Sequence, residues 1–248
     1  MKIIALYSIK GGVGKTASAV NLAYLAARNG AQTLLCDLDP QGSASFYFRI
    51  RPPKKFTTKK FLQGGKRIER NIRGTDFEHL DLLPADMSFR KMDIMLNELK
   101  RSKRRLGEIL LPLGKEYDYI FLDCPPNITL LSENIFRAAD ILLVPMIPTT
   151  LSVLTYEKLL RFFKKQNLDR SRMFAFFSMV ERRKALHRDI ANTIFSKHKR
   201  ILRTAIPYLS EVEKMGIRRM PLCAFAPQSP AADSYEALWQ EIVNSVLV

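Results

Sequence analysis

With 248 residues the chain is long enough for one well-cored α/β domain, and a hydrophobic content of 47% argues against compositional disorder. Forty Lys and Arg against 24 Asp and Glu leave a formal charge of +16, an excess that points to a polyanionic partner, either nucleic acid or an anionic membrane surface. Three scattered cysteines, Cys36, Cys124 and Cys223, form no disulfide or metal-binding pattern, in keeping with a reducing cytoplasm.

In chain order, IIALYS (residues 3–8) reads as a short buried strand that runs straight into KGGVGKT, Lys10 to Thr16. Lys10 and Lys15 interrupt the apolar start, so it does not read as a secretory signal. A helix is predicted over residues 16–30, with Val20, Ala23, Tyr24 and Ala27 on one face and Gly30 as its left-handed cap. TLLCDLD (33–39) is a second strand, which completes a βαβ unit and implies a parallel sheet. Similar runs recur at 80–85, 119–126, 141–148 and 173–180, with a shorter one, RTAIPY, ending at Tyr208. Helical patterns lie between most of them, for instance over 151–166. In the last helix Ser229 is a candidate N-cap and Pro230 suits the first turn, while Tyr235, Leu238, Trp239, Ile242, Val243 and Val246 form a core-facing stripe. The whole pattern predicts an α/β fold, a doubly wound and mostly parallel sheet with helices on both faces, as a single domain over 1–248. No apolar run approaches the ~18 residues of a spanning helix.

The glycine loop carries the strongest chemical signal. Its glycines let backbone N–H groups turn inward around phosphate oxygens, and the following helix adds its positive dipole end. Lys15 is then placed to reach the β- and γ-phosphates, and the Thr16 hydroxyl to ligate magnesium. Asp123 ends the hydrophobic run YIFLD, which suits a carboxylate on the magnesium side, held through water. Asp37 and Asp39 both follow the second strand, and only Asp39 reaches past the sheet edge. It is assigned to orienting the attacking water and to the magnesium shell, with Asp37 in a supporting role.

KGGVGKT, DLDPQG (37–42) and DCPP (123–126) resemble the deviant Walker motifs of the ParA/MinD family of P-loop ATPases, most nearly the small ParA-type partition and positioning ATPases. LDLLPAD (80–86), SMVERR (178–183) and the last helix match in order, so the resemblance spans almost the whole chain. It implies ATP and Mg²⁺ as cofactors and an ATP-dependent sandwich homodimer in which Lys10 reaches the partner subunit's nucleotide. The catalytic set is then Lys10, Lys15 and Asp39, the metal set Thr16, Asp39 and Asp123. Nucleotide contacts are implied for Lys10, Gly11, Gly12, Val13, Gly14, Lys15, Thr16 and Ala17, and on the base side for Met179, Arg182 and Pro207. Two departures stand out. Ala17 replaces the second threonine common in such loops, and the Arg-Asn pair usual after the Ile-Pro is missing from AIPYLSEVEKMG (205–216).

Non-specific double-stranded DNA and a ParB-like or other adaptor that stimulates hydrolysis are the partners the family implies, with a cytoplasmic, nucleoid-associated location. Basic residues cluster at 49–73, at 90–105 (LKRSKRR at 99–105) and at 158–203. The family's DNA contacts lie mainly in the C-terminal part, where the candidates are Arg182, Arg183, Lys184, Lys199, Arg200, Arg203, Arg218 and Arg219. A MinD-like membrane cycle is the alternative. It is disfavoured because the last helix presents Asp233, Glu236 and Glu241 and the chain ends at Val248 without a basic tail, so no stable membrane association is expected. A metallocluster-scaffold ATPase is the more distant alternative, for which Cys124 lacks a suitable thiolate partner in the sequence.

Overall fold

The computed structural model describes residues 1–181 and 183–247. Seven strands form one sheet: β1 (Lys2–Leu6), β2 (Thr33–Asp37), β3 (Arg73–Gly74), β4 (Leu80–Leu83), β5 (Tyr119–Asp123), β6 (Ile141–Met146) and β7 (Met173–Phe177). Their order across the sheet is β3-β4-β2-β5-β1-β6-β7. All neighbours run parallel except the two-residue edge strand β3, which is antiparallel to β4.

Alternation along each strand divides the core in two. Ile3 and Ala5 face one side with Leu34 and Leu122, whereas Ile4 and Leu6 face the other with Leu35 and Phe121. The second side is covered by α1 (Lys15–Arg28) and the last helix, and the first by α2 (Leu130–Ala138) and α3 (Thr150–Lys165) together with shorter helices. Both faces being dry explains why the strands read as unbroken apolar runs.

The helix ends follow the sequence. Gly30, at φ 89°, closes α1 in the left-handed region, and its N–H donates to the Ala27 carbonyl. α4 (Ala185–Lys197) follows β7, and α5 (Pro230–Ser245) opens with the Ser229 hydroxyl accepting from the Ala232 N–H at 3.2 Å. In α5, Tyr235, Leu238, Trp239 and Ile242 are buried, and the Trp239 ring meets Tyr119 edge-on at 5.5 Å.

The run ending at Tyr208 differs from expectation. It passes along the β7 edge without becoming a strand, making one isolated bridge, at Pro207, with another just before it at Ile201. The Leu202 and Ile206 N–H groups donate to the Ala175 and Phe177 carbonyls. Pro207 has no N–H to donate, which limits a regular ladder along this edge. β3 was not anticipated, because two residues, one of them glycine, carry no strand periodicity.

Candidate functional site

The sheet order places the C-terminal ends of β1, β5 and β2 side by side: Leu6 pairs with Asp123, and Asp37 pairs with Asp123 on the other side. Everything that emerges from these ends converges on one edge, the position where open parallel sheets bind ligands. The loop after β1 leads through Gly12 and Gly14, at φ 69° and 81°, into the first turn of α1. A side chain at Gly14 would be strained by that backbone, although the space beside it is open enough for a Cβ. The Ser178 hydroxyl donates to the Val13 carbonyl at 2.7 Å, so the end of β7 pins the middle of the loop. No side chain caps α1, which leaves its first-turn N–H groups for an anion.

Lys15 is buried, and its ammonium donates to the Lys10 carbonyl at 3.4 Å, folding the lysine back across the loop. Burial lowers its pKa, and the charges of Asp123, Cys124 and Asp39 oppose that fall. Lys10 is half-buried at the loop entrance, its N–H on the Ser8 hydroxyl oxygen at 3.3 Å.

The two strand-end acids lie inside the protein, with different surroundings. Asp37 Oδ2 accepts from the Ser45 N–H at 2.8 Å and the Ser45 hydroxyl at 2.7 Å, and Ser45 Oγ in turn accepts from the Ala85 N–H at 3.0 Å. Asp37 therefore ties β2 to the helix after it and, through Ser45, to the end of β4. Burial still pushes its pKa up to about 6. Asp123 is fully buried, and neither oxygen has a hydrogen-bond partner among the described residues. Burial and then the neighbouring Asp37 push its pKa well up, while the nearby Thr16 hydroxyl, outside hydrogen-bonding geometry, and Lys15 pull it down. Asp39 lies beyond the strand, its Oδ1 accepting from the Gln41 N–H at 3.0 Å.

An unpartnered buried carboxylate is costly unless something else supplies its partner. Oxygen-only donors, Thr16, Asp123 and Asp39, around an acid that wants a counter-charge fit a hard divalent cation such as Mg²⁺. The donor set and the demand for charge agree.

Beside the loop lies a pocket of about 240 Å³ whose walls include Gly12, Gly14, Ala17, Met179 and Pro207. These residues are far apart in sequence, and the structure brings them together. Met179 adopts φ 54°, a left-handed conformation uncommon outside glycine, at the turn where β7 meets this pocket. Arg182 lies outside the described residues. Sequence reasoning missed Tyr47, which lines the same pocket. Burial raises its pKa and so does the charge of Asp123, a sign of its closeness to the acid end. Nothing in SASFY marks it, because its position depends on the turn from β2 into the short helix Ser43–Tyr47.

A family model described as "AAA domain" matches residues 1–174. The chain is 37% identical over 146 residues to the chromosome partitioning protein ParA of Myxococcus xanthus, covering 58% of this chain and 52% of that one. It is 28% identical over 247 residues to the chromosome-partitioning ATPase Soj of Treponema pallidum, covering 98% and 97%. The chain belongs to the ParA/MinD-type P-loop ATPases. A plasmid partition protein of Borrelia burgdorferi solved with AMPPNP has the same fold, with a TM-score of 0.84 over 99% of both chains at 24% identity. The seven-stranded, mostly parallel sheet of this ParA/MinD-type chain thus agrees with the fold read from the sequence.

Among the described residues, the candidate DNA contacts sit in several different surroundings. Lys184 forms an ion pair with Glu181, next to Arg183 at the start of α4. The Arg203 guanidinium lies 4.7 Å from the centre of the Phe195 ring. Arg218 ends a short helix, and Arg219 Nε donates to the Phe46 carbonyl at 3.1 Å on the segment after β2. Lys199 and Arg200 lie elsewhere, in a groove beside the start of β7.

Proposed function

We propose that this ParA-type ATPase binds ATP with Mg²⁺, forms an ATP-dependent sandwich homodimer, binds DNA without reading sequence, and hydrolyses ATP to drive partition or positioning of DNA or a protein cargo. The observation that carries this reading is the buried, unpartnered Asp123 carboxylate facing a phosphate loop whose lysine is already folded inward. The AMPPNP bound to the Borrelia relative supports the nucleotide assignment.

Loop N–H groups from Gly11 to Ala17 and the Lys15 ammonium hold the phosphates, and the pocket of Met179 and Pro207 takes the base. Ala17 offers an N–H and no hydroxyl, so the backbone alone serves there. Thr16, Asp123 and Asp39 would hold magnesium, which when bound neutralises charge on the β- and γ-phosphates. Asp39, outside the sheet and less confined than Asp37, orients the attacking water. Lys10 supplies a cation across the dimer interface, where two phosphate clusters would otherwise repel each other, so dimerisation depends on the γ-phosphate. Hydrolysis then loosens the dimer, and a ParB-like or other adaptor accelerates that step.

The two lysines separate binding from dimerisation. Lys15→Ala should lower ATP affinity at least tenfold, because a buried cation facing the phosphates is lost. Lys10→Ala should leave ATP binding measurable and abolish the ATP-dependent doubling of mass in light scattering. A stable Lys10→Ala dimer would remove the cross-subunit role.

A further inference from the structure

The walls of the pocket beside the phosphate loop come from distant parts of the chain. Tyr47, at the end of the short helix Ser43–Tyr47, supplies one part, and the stretch from Ile206 to Glu213 supplies another. That second wall is thinly attached to the sheet. The Ile206 N–H donates to the Phe177 carbonyl, the Val180 N–H to the Ile206 carbonyl and the Tyr208 N–H to the Val180 carbonyl. Past Tyr208 the segment makes no further backbone bond to the sheet among the described residues, and it turns through the short helices Ser210–Glu213 and Met215–Arg218. Residues 205–219 are thus a strap, and two side-chain contacts hold it.

One contact lies beneath it. Met215 is fully buried, and the Asn21 amide of α1 donates to its sulfur at 3.4 Å, while the Asn21 side-chain oxygen accepts from the Cys223 N–H at 3.2 Å. The other contact is at the far end. Arg219 Nε donates to the Phe46 carbonyl at 3.1 Å, and the guanidinium carbon stands 4.5 Å from the centre of the Phe46 ring. Phe46 is 48% exposed, so its ring is not committed to the core. Arg219 adopts φ 53°, in the left-handed turn that ends the helix Met215–Arg218, where glycine would fit without strain. A strained arginine is kept in place by what its side chain reaches.

We propose that Arg219 is a positioning residue for the bound nucleotide: by latching the strap 205–219 to the helix Ser43–Tyr47, it keeps the walls of the base pocket together and slows nucleotide release. Its anchor, Phe46, sits between Ser45, the partner of Asp37, and Tyr47 in the pocket wall. The latch therefore joins the base side of the site to the acid side, where the strap's own backbone bonds do not reach. Planarity suits arginine to the task, because one guanidinium covers the ring with its face and meets the carbonyl with its edge. Arg219 was a DNA candidate from the sequence, and here it serves the nucleotide instead. The inference rests on the reading of this pocket as the site of the nucleotide base.

The test follows the release of mant-ADP, a fluorescent ribose-labelled nucleotide, from the full chain with Mg²⁺, chased by excess ADP in stopped flow. Using ADP keeps the proposed ATP dimer out of the measurement. Arg219→Gly should speed release roughly three- to tenfold, the loss of one cation–π contact and one hydrogen bond, and leave the association rate unchanged. Its unfolding midpoint without nucleotide should stay within about 3 °C of wild type, because glycine relieves the left-handed strain as the contact is lost. Phe46→Leu removes the ring and keeps the carbonyl, so it should give a smaller rise, and adding it to Arg219→Gly should raise release no further. Release at the wild-type rate in Arg219→Gly would overturn the latch and leave the nucleotide site standing. Faster release together with a much lower midpoint would mark a general loosening and also overturn it. Wild-type protein that does not bind mant-ADP at all would overturn the reading of the pocket, and the latch with it.

Discussion

Asp123 shows what burying an unpartnered carboxyl does to a single residue. Burial, joined by the charge of Asp39 at Asp37 and of Asp37 at Asp123, makes the two acids hold their protons more tightly folded than unfolded. A raised carboxyl pKa contributes stability that is full below the ordinary aspartate value of about 4 and is lost as pH rises through the folded pKa, about 6 for Asp37. Nucleotide-free protein should therefore lose stability between those limits. Asp123→Asn removes one of the two charges, so it should flatten that loss and raise the unfolding temperature near neutral pH, by roughly 2–4 °C per kcal/mol regained. The same change should abolish the strengthening of ATP binding by magnesium. Thermal unfolding across pH, paired with titrations with and without magnesium, checks both signs. A destabilised Asp123→Asn protein would mean that the carboxylate has a partner in the free state.

At the scale of elements, α5 reinforces the site from a distance. It packs against α1, whose N-terminus is the phosphate loop, and its stripe of Tyr235, Leu238, Trp239 and Ile242 closes that face of the sheet. Its N-cap is local and separable. Ser229→Ala should cost about 1 kcal/mol, with Ser229→Asp restoring most of it. ATP affinity should not change, because the cap lies away from the pocket. Chemical denaturation of the three proteins tests the assignment, and equal midpoints would show that the Ser229 bond is not maintained in solution. The run ending at Tyr208 carries the contrary lesson. Its apolar pattern resembles the other strands, yet Pro207 and an edge position leave it with isolated bridges.

For the whole molecule, the proposed dimer would bring charge and oligomeric state together. A formal +16 per chain doubles in a dimer, and two surfaces held rigidly bind a long polyanion with higher avidity than either alone. ATP should therefore tighten binding to unrelated long duplexes by a similar factor, since phosphate contacts carry no base information. Affinity should fall log-linearly with salt in both nucleotide states. Two unrelated duplexes titrated with ATP and with ADP across a salt series decide the matter. A strong preference for one sequence would instead indicate base readout.

The sequence by itself determined the parallel sheet, the loop and its lysines, and the acids at strand ends, because these depend on local periodicity and on spacing within a single βαβ unit. That Asp39 lies past the strand and Asp37 at its end could be read by counting, whereas the Ser45 partner of Asp37 could not. Only the tertiary structure decided which residues meet across the fold. Asp37 lies beside Asp123 because β5 inserts between β1 and β2, an order no local pattern encodes. Tyr47 joins Met179 and Pro207 around one pocket only once β7 and the turn after β2 share an edge. The basic runs read alike along the chain, and the fold sorted them: Arg104, Arg137 and Arg172 line one groove and Arg170 the next, while Arg219 turns to Phe46 on the segment after β2. Charge is written residue by residue, but a surface exists only after the strands are ordered.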